Sequence, residues 1–149
     1  MKNLLMKDPL VNDPLVNTVA EVVLDASAMV ELLLGEGARA DEVGRRLAEF
    51  DRWIVPPVFD LECMSALRRK GARAASRAYL LGLPEMLHCS PIERVPVHPL
   101  NLRIANLLGC VTAFDASYVV LAEALDLPIL TCDARLTRSR GPQCSFDLI

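Results

Sequence analysis

The dominant pattern in the chain is a series of short, unbroken apolar runs, each leading into a longer stretch with helical spacing. Val22, Val23 and Leu24 run into Asp25 and then into an apolar-rich segment from Ala26 to Leu34 that meets Gly35. This predicts a buried strand feeding a helix that stops at a glycine. A second helix is predicted from about Ala38 to Phe50, and a short strand at Trp53 to Val55 is ended by Pro56 and Pro57. Pro57 suits the first turn of a third helix, from Val58 to about Lys70. The pattern then predicts a helix from about Ala72 to Leu81, a looser piece through Pro84 and Pro91, and a strand at Arg94 to Val97. Two more helices are expected, one near Leu100 to Leu108 and one opening at Thr112 and running to Ala124. A strand at Pro128 to Thr131, a short helix near Asp133 and a last strand at Cys144 to Phe146 complete the series.

Strands that are apolar throughout, rather than at every second residue, belong in a sheet covered on both faces, and alternation with helices makes that sheet mainly parallel. The expected fold class is therefore α/β, a three-layer α/β/α sandwich. In such sheets ligands bind beyond the carboxyl ends of the strands, where the strand order reverses.

Before Glu21 the pattern is different. Asp-Pro-Leu-Val-Asn at Asp8 to Asn12 recurs at once at Asp13 to Asn17. A tandem copy of five residues is too short for a solenoid repeat and has neither the apolar stretch nor the cleavage site of a signal peptide. Residues 1–20 are expected to be a flexible extension, or alternatively a docking arm, and residues 21–149 a single domain.

A formal net charge of −3 argues against a protein that grips nucleic acid through bulk positive charge, although metal-binding carboxylates would lower the net charge of a nuclease too. The five cysteines, Cys63, Cys89, Cys110, Cys132 and Cys144, form no Cys-x-x-Cys pair. They read as small apolar core residues in a reducing compartment rather than as zinc ligands. No apolar run is long enough to cross a bilayer, and a cytoplasmic location is expected. His88 and His98 are expected on the surface or in loops.

Four carboxylates stand out. Asp25 ends the first strand and Asp133 follows the strand at Pro128 to Thr131, so both belong on one rim of the sheet. Each also reads as an ordinary helix N-cap, and Thr112-x-x-Asp115 resembles a capping box. Glu62 differs, because its helical neighbours Val58, Phe59, Ser65 and Ala66 are apolar or small, and a carboxylate there needs a partner or a route to solvent. Converging carboxylates repel one another unless a cation intervenes. Oxygen-only ligation suits a hard ion such as Mg²⁺ or Mn²⁺, and such a site can activate water for phosphodiester hydrolysis.

The segments around these residues, Val22 to Leu33, Val55 to Arg69, Thr112 to Glu123 and Leu130 to Leu136, resemble in order and spacing the motifs of PIN-domain ribonucleases, specifically the VapC-type toxins of toxin–antitoxin pairs. The resemblance runs from about Glu21 to the end of the chain. It implies that Asp25, Glu62, Asp115 and Asp133 hold Mg²⁺ or Mn²⁺ and catalyse RNA cleavage, with Ser27 and Thr131 as nearby hydroxyls. Helix capping and strand-end hydrogen bonding are the plainer roles for that pair. Ser65 stands where the family often has asparagine. The resemblance further implies a structured RNA substrate (tRNA, mRNA or rRNA), a homodimer, and a VapB-like antitoxin whose arginine pairs with the acidic site.

Arg69, Arg135 and Arg138 are candidates to hold RNA phosphates, with solvated surface arginine as the alternative. Aromatic residues are scarce, so no base-stacking platform is evident. The apolar stretches Met29 to Leu34 and Tyr79 to Leu83 are candidates for interfaces or for core. Two other functions compete. One is an aspartate-nucleophile phosphatase, which wants a second aspartate where Ser27 stands; the other is a PIN-like binding module without catalysis.

Overall fold

A computed structural model of the chain describes residues 19–35, 37–70 and 77–149. The elements run in the order β1 (Glu21–Leu24), α1 (Ala26–Leu34), α2 (Ala38–Leu47), β2 (Arg52–Val55), α3 (Phe59–Lys70), α4 (Arg77–His88) and β3 (Ile92–Arg94). A 3₁₀ turn (His98–Leu100) leads to α5 (Asn101–Leu107), followed by α6 (Ala113–Leu125), β4 (Ile129–Thr131), α7 (Ala134–Thr137) and β5 (Phe146–Leu148).

The five strands form one sheet in the order β3-β2-β1-β4-β5, and every pair is parallel. The chain therefore winds outward from β1 to β3 and then returns to place β4 on the other side of β1. The loops leaving β1 and β4 diverge at this reversal, with Val23 paired to Ile129 and Leu24 to Leu130. Val22, Val23 and Leu24 are fully buried, as expected of a central strand covered on both faces. Gly35 ends α1 in the left-handed conformation at φ 66°, which glycine adopts without a Cβ penalty.

The interior joins these strands to a face of α1 and to most of α6, where Ala116 through Ala122 are buried. The stretch Met29 to Leu34 is mainly core: Met29 and Val30 are buried, and the Tyr79 hydroxyl donates to the Leu33 carbonyl at 2.8 Å, tying α4 to α1. In the second candidate stretch Leu83 is buried, whereas Leu81 is exposed.

Several boundaries differ from those expected. The helix expected at Ala72 to Leu81 falls partly outside the described residues, and α4 continues through Pro84 to His88. Interior proline costs a helix about 3 kcal/mol, but burying Leu83 and Leu87 on one face is worth about 1.5–3 kcal/mol each, enough to carry the helix past it. β3 lies earlier than expected, between Pro91 and Pro96, because Pro96 has no N–H for the ladder. β5 starts later, at Phe146, which pairs with Ile129, and α2 ends at Leu47. The expectation that the cysteines are core residues holds for Cys63 alone; Cys132 and Cys144 are half-buried, Cys89 and Cys110 are exposed, and all five are free thiols. His88 and His98 are exposed, as expected. Among the described residues no helix is long and apolar enough to cross a membrane.

Candidate active site

Asp25 follows β1 and is only 6% exposed. It starts α1, yet its carboxylate does not cap that helix. It is held from the side by two hydroxyls: Ser27 Oγ donates to Oδ2 at 2.5 Å, and Thr131 Oγ1, at the end of β4, donates to the same oxygen at 2.6 Å. Both hydroxyls are themselves polarised. Ser27 Oγ accepts from the Cys132 amide at 3.0 Å, and Thr131 Oγ1 accepts from the Asp133 amide at 3.0 Å. The network stitches the ends of β1 and β4 together where the strand order reverses, and it fixes the orientation of Asp25. Ser27 and Thr131 thus orient a carboxylate rather than merely cap a helix and a strand.

Glu62 lies in the first turn of α3 and is half-buried. Its partner comes from α6: the buried Tyr118 donates its phenolic hydrogen to Oε2 at 2.5 Å. Sequence reasoning assigned Tyr118 no role. The available signal was its place three residues after Asp115, one helical turn along an otherwise apolar face.

Asp115 sits in the first turn of α6. Thr112 caps that helix by accepting from the Asp115 amide at 3.1 Å, and its hydroxyl donates to Asp115 Oδ2 at 2.8 Å. The capping reading is therefore correct for Thr112, while the Asp115 carboxylate stays at the surface of the cleft.

Asp25 and Glu62 both feel the charge of Asp115. The Asp25 carboxyl is pushed above its ordinary range, first by burial and then by Asp115, against the lowering effect of its two hydroxyl donors. Glu62 is pushed up in the same way, by burial first, with Asp25 and Asp115 adding to it and Tyr118 opposing. Negative charge is thus concentrated in a poorly solvated place.

Asp133 behaves differently. It caps α7 by accepting from the Arg135 amide at 2.8 Å, and the Arg135 guanidinium forks onto it, Nε to Oδ1 at 3.1 Å and an Nη to Oδ2 at 2.8 Å. Arg135 holds its carboxyl below the usual range. Asp133 and Asp115 nonetheless line one cleft of about 470 Å³, with Thr112 and Arg135. A second cleft, of about 280 Å³, is lined by Val58, Leu61, Glu62, Ser65, Arg69 and Phe114. Arg69 lowers the Glu62 pKa from nearby, and Arg138 is exposed, with its Nε donating to the Ala134 carbonyl.

Among the described residues no group of three His, Cys, Asp or Glu side chains is gathered tightly enough to hold a metal ion as they stand. The chemistry of the donors nevertheless suits one. All are carboxylate oxygens, two are forced toward protonation by burial and mutual repulsion, and a hard cation that keeps part of its water shell relieves both effects.

Sheet order and rim position together define an α/β domain with carboxylates brought to the reversal of strand order. A family model described as PIN domain matches residues 22–141, and the chain belongs to the PIN-domain family, in its VapC branch. Over 130 residues it is 37% identical to Ribonuclease VapC12 of Mycobacterium tuberculosis, covering 86% of this chain and 98% of that protein. Ribonuclease VapC9 and Ribonuclease VapC1 of the same organism are 36% and 37% identical over comparable spans. Among solved structures, that of PAE2754 from Pyrobaculum aerophilum has a TM-score of 0.60 at 24% identity, covering 86% of this chain and 83% of its own. Mycobacterium tuberculosis VapC20, a sarcin–ricin loop cleaving toxin, has a TM-score of 0.64 at 15% identity, covering 77% of this chain and 92% of its own. These two share the fold. Family membership removes the aspartate-nucleophile phosphatase alternative.

Proposed function

We propose that the chain is an endoribonuclease, the toxin of a VapB–VapC-like pair, which hydrolyses RNA phosphodiester bonds with a divalent cation, Mg²⁺ or Mn²⁺. The relatives named as VapC ribonucleases, matched over most of their length, support the activity. The observation that carries the site is the electrostatic coupling of Asp25, Glu62 and Asp115 beside the reversal of strand order.

Asp25, Glu62 and Asp115 would hold the cation, with Asp133 as a fourth, more peripheral ligand. When bound, such a cation supplies an activated water and offsets the charge that develops on the phosphate. Ser27 and Thr131 keep Asp25 in one orientation, and Tyr118 does so for Glu62, so neither carboxylate has to be ordered when substrate arrives. Arg69, Arg135 and Arg138 bring positive charge to the rim for RNA phosphates.

The same acids are a receptor for a guanidinium fork, and a VapB-like antitoxin is proposed to occupy them through an arginine. Arg135 already makes this kind of contact with Asp133 within the chain. A homodimer is proposed on the family resemblance, and the substrate class is structured RNA. Incubating purified protein with total RNA and divalent cation tests the reading. New ends free of 2′,3′-cyclic phosphate are expected, because water rather than the 2′-hydroxyl attacks. Intact RNA at every cation tried would instead favour a PIN-like binding module.

A further inference from the structure

The 280 Å³ cleft beside Glu62 has a composition that the cation site does not require. Leu61 and Glu62 each stand three or four residues from Val58 and from Ser65, and Arg69 stands four beyond Ser65, so the five residues form a single stripe along α3 and the turn before it. Across from the stripe stands Phe114, 55% exposed, immediately before Asp115. Leu61, on the near wall, is 66% exposed. The backbone that carries Phe114 is held in place although the side chain faces solvent. Thr112 caps the turn on one side of it, and Ser117 Oγ donates to its carbonyl at 2.6 Å on the other.

The cleft thus combines an exposed aromatic ring on a fixed backbone, two aliphatic side chains, one hydroxyl and one guanidinium, and it shares Glu62 with the acidic centre. Among the described residues Arg69 forms no ion pair or hydrogen bond; it acts on Glu62 through space only. A nucleotide presents the matching features, a flat π-surface, polar base edges and a phosphate. An apolar peptide side chain would leave the guanidinium unused, and an arginine side chain would meet Arg69 as a like charge.

We propose that this cleft seats the RNA base next to the scissile phosphate, with Phe114 as its stacking platform and Arg69 holding the adjoining phosphate or base edge. It is where the enzyme reads a nucleotide, a platform that the scarcity of aromatics in the sequence argued against. Stacking needs a π-face and not a particular base, so Ser65 and Arg69 supply the discrimination. The assignment rests on the ribonuclease reading.

The test compares the full-length wild type with Phe114→Leu, which keeps apolar bulk but removes the ring, and with Phe114→Trp, which restores one. Each is given a random-sequence RNA pool with Mn²⁺, and cut ends are mapped. Each is also titrated in EDTA with a single-stranded RNA decamer carrying 2-aminopurine. For Phe114→Leu we expect KM and decamer Kd to rise about tenfold, the base preference beside the cut to flatten, and the 2-aminopurine quenching seen with wild type to disappear. Phe114→Trp should recover all three. Wild-type cleavage with an unchanged profile, KM and quenching in Phe114→Leu overturns the base pocket alone. So does a loss of binding to a protein partner with RNA behaviour intact, which would make the cleft a protein dock. Absence of cleavage by the wild type overturns the ribonuclease reading and the pocket with it.

Discussion

Tyr118 and Glu62 lie 56 residues apart in sequence, and the phenol donates to the carboxylate at 2.5 Å between helices α6 and α3. The donor is fully buried and the acceptor half-buried, so the bond fixes the carboxylate in a region where water competes for it only weakly. Tyr118→Phe removes the donor without leaving a large void. A hydrogen bond to a charged group is worth about 1.5–3 kcal/mol, so cleavage should fall by roughly tenfold or more. The far-ultraviolet circular dichroism spectrum should stay the same. Activity equal to wild type would show that Glu62 does not need this partner.

Asp25→Asn separates catalysis from stability. In the metal-free protein, burial and the Asp115 charge disfavour the ionised carboxylate, and asparagine accepts from Ser27 and Thr131 without carrying charge. The variant should lose cleavage yet melt at the same temperature as wild type in EDTA, or higher. It should also lose the rise in melting temperature that Mn²⁺ gives the wild type. Differential scanning calorimetry with and without Mn²⁺ checks both expectations, and an equal Mn²⁺-induced rise in the variant would count against Asp25 as a ligand.

Asp133 caps α7 and is proposed as a peripheral ligand, and a single substitution can divide the two roles. Asn is as good a helix cap as Asp, so Asp133→Asn should keep α7 while losing the charge that Arg135 forks onto. The expected loss of cleavage is about tenfold, less than for Asp25→Asn, because Asp133 stands apart from the three coupled acids. Arg135→Ala should leave stability almost unchanged, since its side chain is solvent-exposed, while raising KM for RNA. Steady-state kinetics on both variants decides between the roles.

Away from the site, Arg103 forks onto Glu123 through Nε at 2.8 Å and an Nη at 2.9 Å, and it donates to the Gly141 carbonyl. The Gln143 amide also donates to Glu123. Arg103 holds the Glu123 carboxyl below its ordinary 4.5. A lowered folded-state pKa means that the unfolded chain takes up the proton first as pH falls. The contribution is therefore complete above about pH 4.5 and is lost as pH drops through the folded value. Glu123→Gln should be less stable than wild type at pH 7, by up to about 1 kcal/mol given the partial exposure of Arg103, and the difference should narrow in acid. Urea melts at pH 7 and pH 3 measure it; a constant difference would rule out the linkage.

Asp25, Glu62, Asp115 and Asp133 are legible in the sequence because local patterns mark strand ends and helix starts, and the strand order places Asp25 and Asp133 on neighbouring loops. Tyr118 is not legible as a partner of Glu62, because a tyrosine amid Ala116, Val119 and Val120 reads as core until α3 is laid against α6. For the same reason the pattern ends α4 before Pro84, since only the tertiary burial of Leu83 and Leu87 carries the helix on. The Arg135 fork onto Asp133 was likewise hidden, because spacing of two residues on a short helix gives no warning of a side chain folding back. The duplicated segment before Glu21 lies outside the described residues. Deleting residues 1–18 is expected to leave the melting temperature and cleavage unchanged, and a lower melting temperature would make the extension structural.

Carboxylates at the reversal of strand order are proposed to hold the divalent cation on which RNA cleavage depends. The decisive measurement is the initial rate of RNA cleavage against Mn²⁺ concentration for wild type and Asp25→Asn. The wild-type rate should rise saturably from zero in EDTA, and the variant should lose at least about a hundredfold at every concentration. A wild-type rate that persists in EDTA, or an Asp25→Asn rate that matches it, would show that these carboxylates do not act through a cation.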